Sequence, residues 1–419
     1  MNELMKSFGG CDVNVKVGGS RWTVGLGVVS GVIIAASMSG PPAIASEIGC
    51  GMVVTTDLTL HEDLTGCVNV GLVIGADDVT VDLNGHRLGG DGTPFEQCES
   101  DSPCDVGLDN SSGHPDVTVL GGTIQGFDIG VFVSGADRNR VTEITTLDTA
   151  FAGVLVGESA DVRVDHSVFE GGVVGIVAFD SVGTRAHHNR VTGTSGYAMP
   201  FFRSPETRVE QNSFENDQHG ILLDGSDTSV IRGNTLNDAA IEIAHTGGAK
   251  VSGNALSGND GVLLIEAVGN EVSHNTITDT GSADPEVGGF GILFDGSDDN
   301  LVVGNVVTGA RGPAIWVTTL ESSGTSDGNV ISGNRVANSH LEAIWVDSTA
   351  TNTELNKNRS NGNALDGFTI DAPSTTLTHN TANDNGDLGI DAVSGVIDGG
   401  GNRASGNGDP AECTNITCS

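Results

Sequence analysis

Val209-Glu210-Gln211-Asn212-Ser213-Phe214, Ile231-Arg232-Gly233-Asn234-Thr235-Leu236, Val251-Ser252-Gly253-Asn254-Ala255-Leu256 and Val272-Ser273-His274-Asn275-Thr276-Ile277 are four versions of one phrase, set about twenty-two residues apart. Its asparagine recurs at Asn189, Asn305, Asn334, Asn358, Asn380 and Asn402. A second phrase lies between the asparagines, a small residue followed by alternating apolar ones. It reads Gly220-Ile221-Leu222-Leu223, Gly261-Val262-Leu263-Leu264, Gly291-Ile292-Leu293-Phe294, Ala314-Ile315-Trp316-Val317 and Ala343-Ile344-Trp345-Val346. A fixed period of this size marks a solenoid. The apolar runs are too short for helices and alternate with period two, so each is a short strand. The 62 glycines and the Asn/Asp/Ser clusters between runs supply the turns. The chain is therefore expected to be all-β, a single-stranded parallel β-helix of roughly a dozen coils, each one strand spacing (about 4.8 Å) from the next. The repeated asparagine is expected to form a stacked amide row at an inward-facing turn, a structural role with no chemistry of its own.

Within this frame the stretch Asp77-Asp78-Val79-Thr80-Val81-Asp82-Leu83-Asn84-Gly85-His86 resembles the opening rung of many secreted bacterial right-handed parallel β-helix proteins of the pectate-lyase-like superfamily. The resemblance runs from about residue 50 to 405 and implies a right-handed coil. It implies no single reaction, because the superfamily includes polysaccharide lyases, glycoside hydrolases, uronate epimerases, phage tailspikes and adhesins. Gln218-His219-Gly220 resembles part of the polygalacturonase histidine motif, but the paired aspartates that should precede it are missing. Arg203-Ser204-Pro205-Glu206-Thr207-Arg208 is one residue short of the arginine pattern of pectate lyases.

The ends carry separate signals. Lys6, Lys16 and Arg21 precede an uncharged small and apolar stretch, Trp22 to Met38, and Ala43-Ile44-Ala45 fits a cleavage site. Residues 1–45 are thus expected to be a signal peptide, with an uncleaved anchor as the alternative. An N-terminal cap (46–76), the β-helix (77–404) and a stapled tail (405–419) should follow as one domain. The remaining cysteines form close pairs, Cys50 with Cys67, Cys98 with Cys104 and Cys413 with Cys418. On an exported chain these read as disulfides closing the two open ends of the stack. No pair has the Cys-x-x-Cys spacing of a zinc site. The expected location is secreted or at the cell surface.

The net charge of -37 argues against nucleic acid and anionic lipid as partners. No cofactor is certain from the sequence, and the Asp-rich turns holding Asp224, Asp295 and Asp298 are candidate calcium sites. Longer asparagine intervals place inserted loops at Ser282–Gly289 and Glu321–Asn329.

Stacking converts register into proximity, and two columns stand out. Two places before the ladder the residues read Asp165, His187, Glu210 and Arg232, with His166 and His188 one place later. They form either a surface ladder of alternating charge or a site. As a site, a histidine between carboxylates would have a raised pKa and act as acid or base, with Arg190 or Arg232 holding an anionic sugar. A metal on His166, His187, His188 and Asp165 is a third reading. The other column is apolar and should face outward: Phe132, Leu155, Val177, Pro200, Leu222, Leu263, Leu293, Trp316 and Trp345. It is either a binding face, with Trp316 and Trp345 stacking on sugar rings, or a stripe covered by a loop or the cap. Tyr197, Phe201 and Phe202 add aromatic surface or fill a corner. Together these readings favour a protein that binds polysaccharide or a cell-surface glycan along one face, with lyase, hydrolase or epimerase activity at Asp165, His187, His188, Glu210 and Arg232. A non-catalytic adhesive solenoid is the alternative.

Overall fold

The computed structural model describes residues 48–92, 104–217, 219–281, 289–320, 322 and 324–419. The expected signal peptide, Cys98, Gln218 and the inserted loop at 282–288 lie outside these residues. Every coil follows one plan. A strand of the second phrase, such as Val262–Ile265, joins a broad parallel sheet. A turn leads to two three-residue strands, such as Glu271–Ser273 and Thr276–Thr278, separated by a two-residue corner. A last turn returns the chain to the broad sheet one coil further on.

Sixteen strands stack in the broad sheet, making about fifteen turns of a right-handed parallel β-helix. That exceeds the dozen expected, because cap and tail are themselves wound into the stack. Met52–Val54 pairs with the next coil, and Cys413–Thr414 is the last rung. Cys50–Cys67 staples the first coil and Cys413–Cys418 the last. Cys104 is also disulfide-bonded. Part of the second inserted loop, Ser326–Asp327, pairs with Ala350–Thr351 as a small separate sheet.

The corner explains the asparagine. The residue before each ladder position has a positive φ, as in His188 (57°), Gln211 (56°), Gly253 (63°) and Lys357 (56°). The left-handed corner turns the next backbone inward, where its polar groups need partners. Each asparagine supplies them: Asn254 Oδ1 accepts from Asn234 N (2.9 Å) and Asn234 Nδ2 (3.0 Å), while Asn254 Nδ2 donates to Ile231 O (3.1 Å). The same pattern runs unbroken from Asn189 to Asn402. A second amide row, Asn270, Asn300 and Asn329, and a third, Asn363, Asn385 and Asn407, line other corners. The flanking apolar residues, Val209, Ile231, Val251, Val272 and Val302 before the amide and Phe214, Leu236 and Ile277 after it, fill the interior with no exposed surface.

Candidate functional site

Cross-strand register assembles the charged row as its sequence offsets require. Asp165 pairs with His187, His187 with Glu210, and Glu210 with Arg232. Asp165 is fully buried. Its carboxylate accepts both Arg140 Nε (2.9 Å) and Nη2 (2.8 Å), Thr142 Oγ1 (2.7 Å) and His166 Nδ1 (2.9 Å). Burial by itself would raise the Asp165 pKa, but the hydrogen bonds from Arg140, His166 and Thr142 hold it well below the usual carboxylate range. A carboxylate so fixed has neither a proton to give nor a lone pair to spare.

The expected rise in the His187 pKa is reversed. Burial lowers it, and the neighbouring His188, Arg163 and His166 add to that, outweighing Asp165 3.9 Å away. Glu210 is paired with Arg232 at 3.0 Å, and Arg190 with Glu215 at 2.7 Å and Glu170 at 4.0 Å. His166 and His188 sit at left-handed corners with their rings stacked 5.0 Å apart. His187 and His188 share a hydrogen between their Nδ1 atoms at 3.0 Å. The row is thus contiguous but largely self-neutralised.

This environment gives Asp165 a pH signature. A depressed carboxyl stabilises the fold at any pH above its unfolded value, and that stabilisation is lost as pH falls through its folded value. Asp165→Asn should lower the melting temperature at pH 7, and the gap from the parent should narrow steadily from pH 4 downwards. A gap independent of pH would contradict the assignment.

The apolar column is only partly exposed. Val177, Leu222 and Leu293 are buried, so the expected continuous outward stripe is interrupted. At its centre stands a residue that the sequence reading passed over. Glu242 pairs in register with Leu222 on one side and Leu263 on the other. Its Oε2 accepts Tyr197 Oη at 2.5 Å. Tyr197 is two coils away, so this bond spans the coil carrying His219 and Leu222, which accounts for the burial of Leu222. Burial raises the Glu242 pKa, Asp224 adding to it and Tyr197 opposing. Burial, then Glu242, raises that of Tyr197, so the phenol keeps its proton. His219 stacks on Tyr197 at 4.7 Å, and burial lowers its pKa, leaving it neutral near pH 7. Asp260, raised by burial, acts electrostatically on His219. Tyr197, His219, Glu242 and Asp260 therefore form a half-buried set of protonatable groups on the broad sheet.

Further along the same column Trp316 and Trp345 occupy consecutive coils. Their rings stack on each other, 4.9 Å apart and 8° from parallel, and Phe290 lies 5.4 Å from Trp316. The two indoles thus do not form one flat platform, because each covers a face of the other. The stack ends at Trp345, whose register partner is the short Thr369. Trp345 Nε1 donates to Asp371 Oδ2 (2.9 Å). Thr369 Oγ1 donates to Asp366 (3.3 Å), whose pKa burial pushes up to about 6, Asp387 and Asp391 adding to it.

The candidate calcium ligands belong to two separate turns. Asp224 and Asp295 lie in one column three coils apart, about 14 Å. Asp224 accepts from His245 (2.9 Å), Asp295 from Leu320 N (2.8 Å) and Asp298 from Asp327 N (2.8 Å). Among the described residues no three His, Cys, Asp or Glu side chains are grouped to hold a metal. Arg203, from the short arginine pattern, is held by both oxygens of Asp180. Among the described residues no helix is long and apolar enough to cross a membrane.

Against known proteins, the family described as "Right handed beta helix region" matches residues 104–256 and 239–338. No curated protein matches the chain. Similar solved structures include the catalytic domain of a GH87 alpha-1,3-glucanase in complex with tetrasaccharides (10% identity, 91% of this chain, 70% of that one, TM-score 0.41). PfbA, a surface adhesin of Streptococcus pneumoniae, is similar at 11% identity over 76% of this chain and 82% of that one, with a TM-score of 0.41. The tailspike protein of E. coli bacteriophage HK620 in complex with pentasaccharide is similar at 12% identity over 86% of this chain and 73% of that one, with a TM-score of 0.45.

Proposed function

The chain belongs to the right-handed β-helix family, and from that premise we propose that it is an exported protein that binds a carbohydrate chain along the outer face of its broad sheet and acts on it at Glu242. The observation that carries this reading is the Glu242–Tyr197 pair, a carboxyl with a raised pKa that shares a proton with a phenol on a solvent-reachable face. Lyase, hydrolase and epimerase reactions on a glycan all need a group that holds a proton near neutral pH and releases it on demand. The upward shift moves Glu242 toward that role, with His219, its pKa lowered by burial, as the matching acceptor. Trp345 and Thr369 supply a sugar-sized apolar step, edged by Asp366 and Asp371, which carry hydrogen-bonding oxygens suited to sugar hydroxyls. The disulfides at both ends favour an extracellular setting. A second reading, a non-catalytic surface solenoid, is favoured by the self-neutralised row around Asp165, in which both carboxylates are held by arginines.

The test is a panel of neutral and anionic polysaccharides, scored for retention on immobilised glycan and for new reducing ends or ultraviolet-absorbing products. One glycan is expected to be both retained and turned over, with Trp345→Ala weakening retention about tenfold. Retention without turnover would favour the second reading, and no retention by any glycan would reject both.

A further inference from the structure

The wall beside the broad sheet carries a feature of opposite sign to the rest of the molecule. Arg140, Arg163, Arg185 and Arg208 are successive register partners on the first short strand of four coils. Each alternates with a buried neighbour, Val141, Val164, Ala186 and Val209, so all four side chains stand outside, and all are exposed. Arg140 is committed to Asp165. Among the described residues the guanidinium groups of Arg163, Arg185 and Arg208 make no ion pair or side-chain hydrogen bond. Like charges directly opposite each other on neighbouring strands are destabilising. The chain has 55 acidic residues to 18 lysines and arginines, so acidic partners are abundant. Yet three consecutive guanidinium groups are left unneutralised; Val230 follows Arg208 in the column, and Lys250 comes next.

We propose that the Arg163–Arg185–Arg208 column is a binding site for a linear anionic polysaccharide, one bearing carboxylate or sulfate groups at regular intervals. The guanidinium groups repeat every coil, about 4.8 Å, over a run of about 10 Å. That spacing is close to the length of one extended sugar residue, so a polysaccharide lying parallel to the solenoid axis presents successive anions to successive arginines. Each planar guanidinium can take a carboxylate or sulfate with two parallel hydrogen bonds. The site is a single narrow column on a chain whose net charge is -37. Such a setting repels a densely charged, wide polyanion such as nucleic acid and leaves room for a thin, sparsely charged one. It is a different wall from the one bearing Glu242, so the ligand need not be the glycan acted on there.

The measurement is affinity electrophoresis and calorimetry of the full protein with polygalacturonate, heparin, neutral dextran and a single-stranded oligonucleotide. The set is run at low and high salt, for the parent and for the triple variant Arg163→Gln/Arg185→Gln/Arg208→Gln. The expected result is salt-sensitive binding of at least one anionic polysaccharide, none of dextran, and a loss of tenfold or more in the triple variant. A control, Arg335→Gln/Arg359→Gln, removes two register-paired arginines from the other short strand and should bind as the parent does. The triple variant should melt at the parent's temperature or above it, since like-charge repulsion is relieved. Unchanged polysaccharide binding in the triple variant, preference for the oligonucleotide, or a melting temperature several degrees lower would each overturn the proposal.

Discussion

Asn305→Ala is expected to cost about 3–5 kcal/mol of stability, from the desolvation penalty of orphaned buried groups. Asn305 Oδ1 accepts the backbone N–H of Asn275 (2.9 Å) and one hydrogen of its Nδ2 (3.0 Å). Its own Nδ2 donates to Val272 O (2.9 Å) and to Asn334 Oδ1 (3.0 Å). Alanine removes all four contacts at a position with no solvent exposure. The Asn275 Nδ2 keeps only its bond to Val251 O, and the Asn275 backbone N–H has no substitute partner. Because the strands of each coil pair only with those of its neighbours, the loss at mid-stack should also divide one unfolding transition into two. Urea denaturation followed by circular dichroism reads both effects. Asn305→Ser is the informative control. Ser167 fills the ladder place one coil before Asn189, where its Oγ accepts Ile144 N at 3.2 Å. Serine should therefore recover part of the loss. An alanine variant as stable as the parent would remove the amide row from the account of stability.

Glu242→Gln is expected to reduce turnover of the retained glycan by about 10²–10⁴-fold while leaving retention intact, the range typical of a lost general acid or base. Glutamine can still accept the Tyr197 hydroxyl, so the fold and the cover over Leu222 persist. It cannot exchange a proton. The pH profile supplies a second reading. A carboxyl that acts in its protonated form loses activity as pH rises through its raised pKa. Tyr197 opposes that rise, so Tyr197→Phe should move the alkaline limb to still higher pH. A Glu242→Gln protein with parental turnover, or a limb that moves the other way, would assign the chemistry elsewhere.

The coil was legible because its period is written in residues that physics constrains, an amide that must sit at a buried corner and apolar residues that must flank it. The charged row was legible as an arrangement for the same reason. Its chemistry was not. The clamp on Asp165 comes from Arg140, which belongs to a neighbouring column one coil back and two places earlier, and a reading confined to one offset misses it. His187 was expected to gain basicity from two carboxylates. Glu210 turned instead to Arg232, and burial decided the sign. Glu242 was passed over because it takes the apolar place in its phrase, Ala240-Ile241-Glu242-Ile243, and so read as a break in the apolar column. Its partner Tyr197 is 45 residues away across an intervening coil, a separation no single repeat reveals. The signal that could have found it was plain: between Phe132 and Trp345 it is the one ionisable residue in an otherwise apolar file. Cap and tail were set apart because they lack the asparagine, yet backbone pairing alone suffices to wind them in.

The in-register stacking of the broad sheet also sets a gauge length. From Glu242 to Trp316 there are three steps, through Leu263 and Leu293, and to Trp345 a fourth. Each step is a whole winding of about 4.8 Å with no net rotation of the wall. Excising or duplicating one complete winding between them would change the reach from acid to indole by one fixed increment, without turning either away from the other. Such a molecule can resize the span of ligand it grips only in discrete jumps.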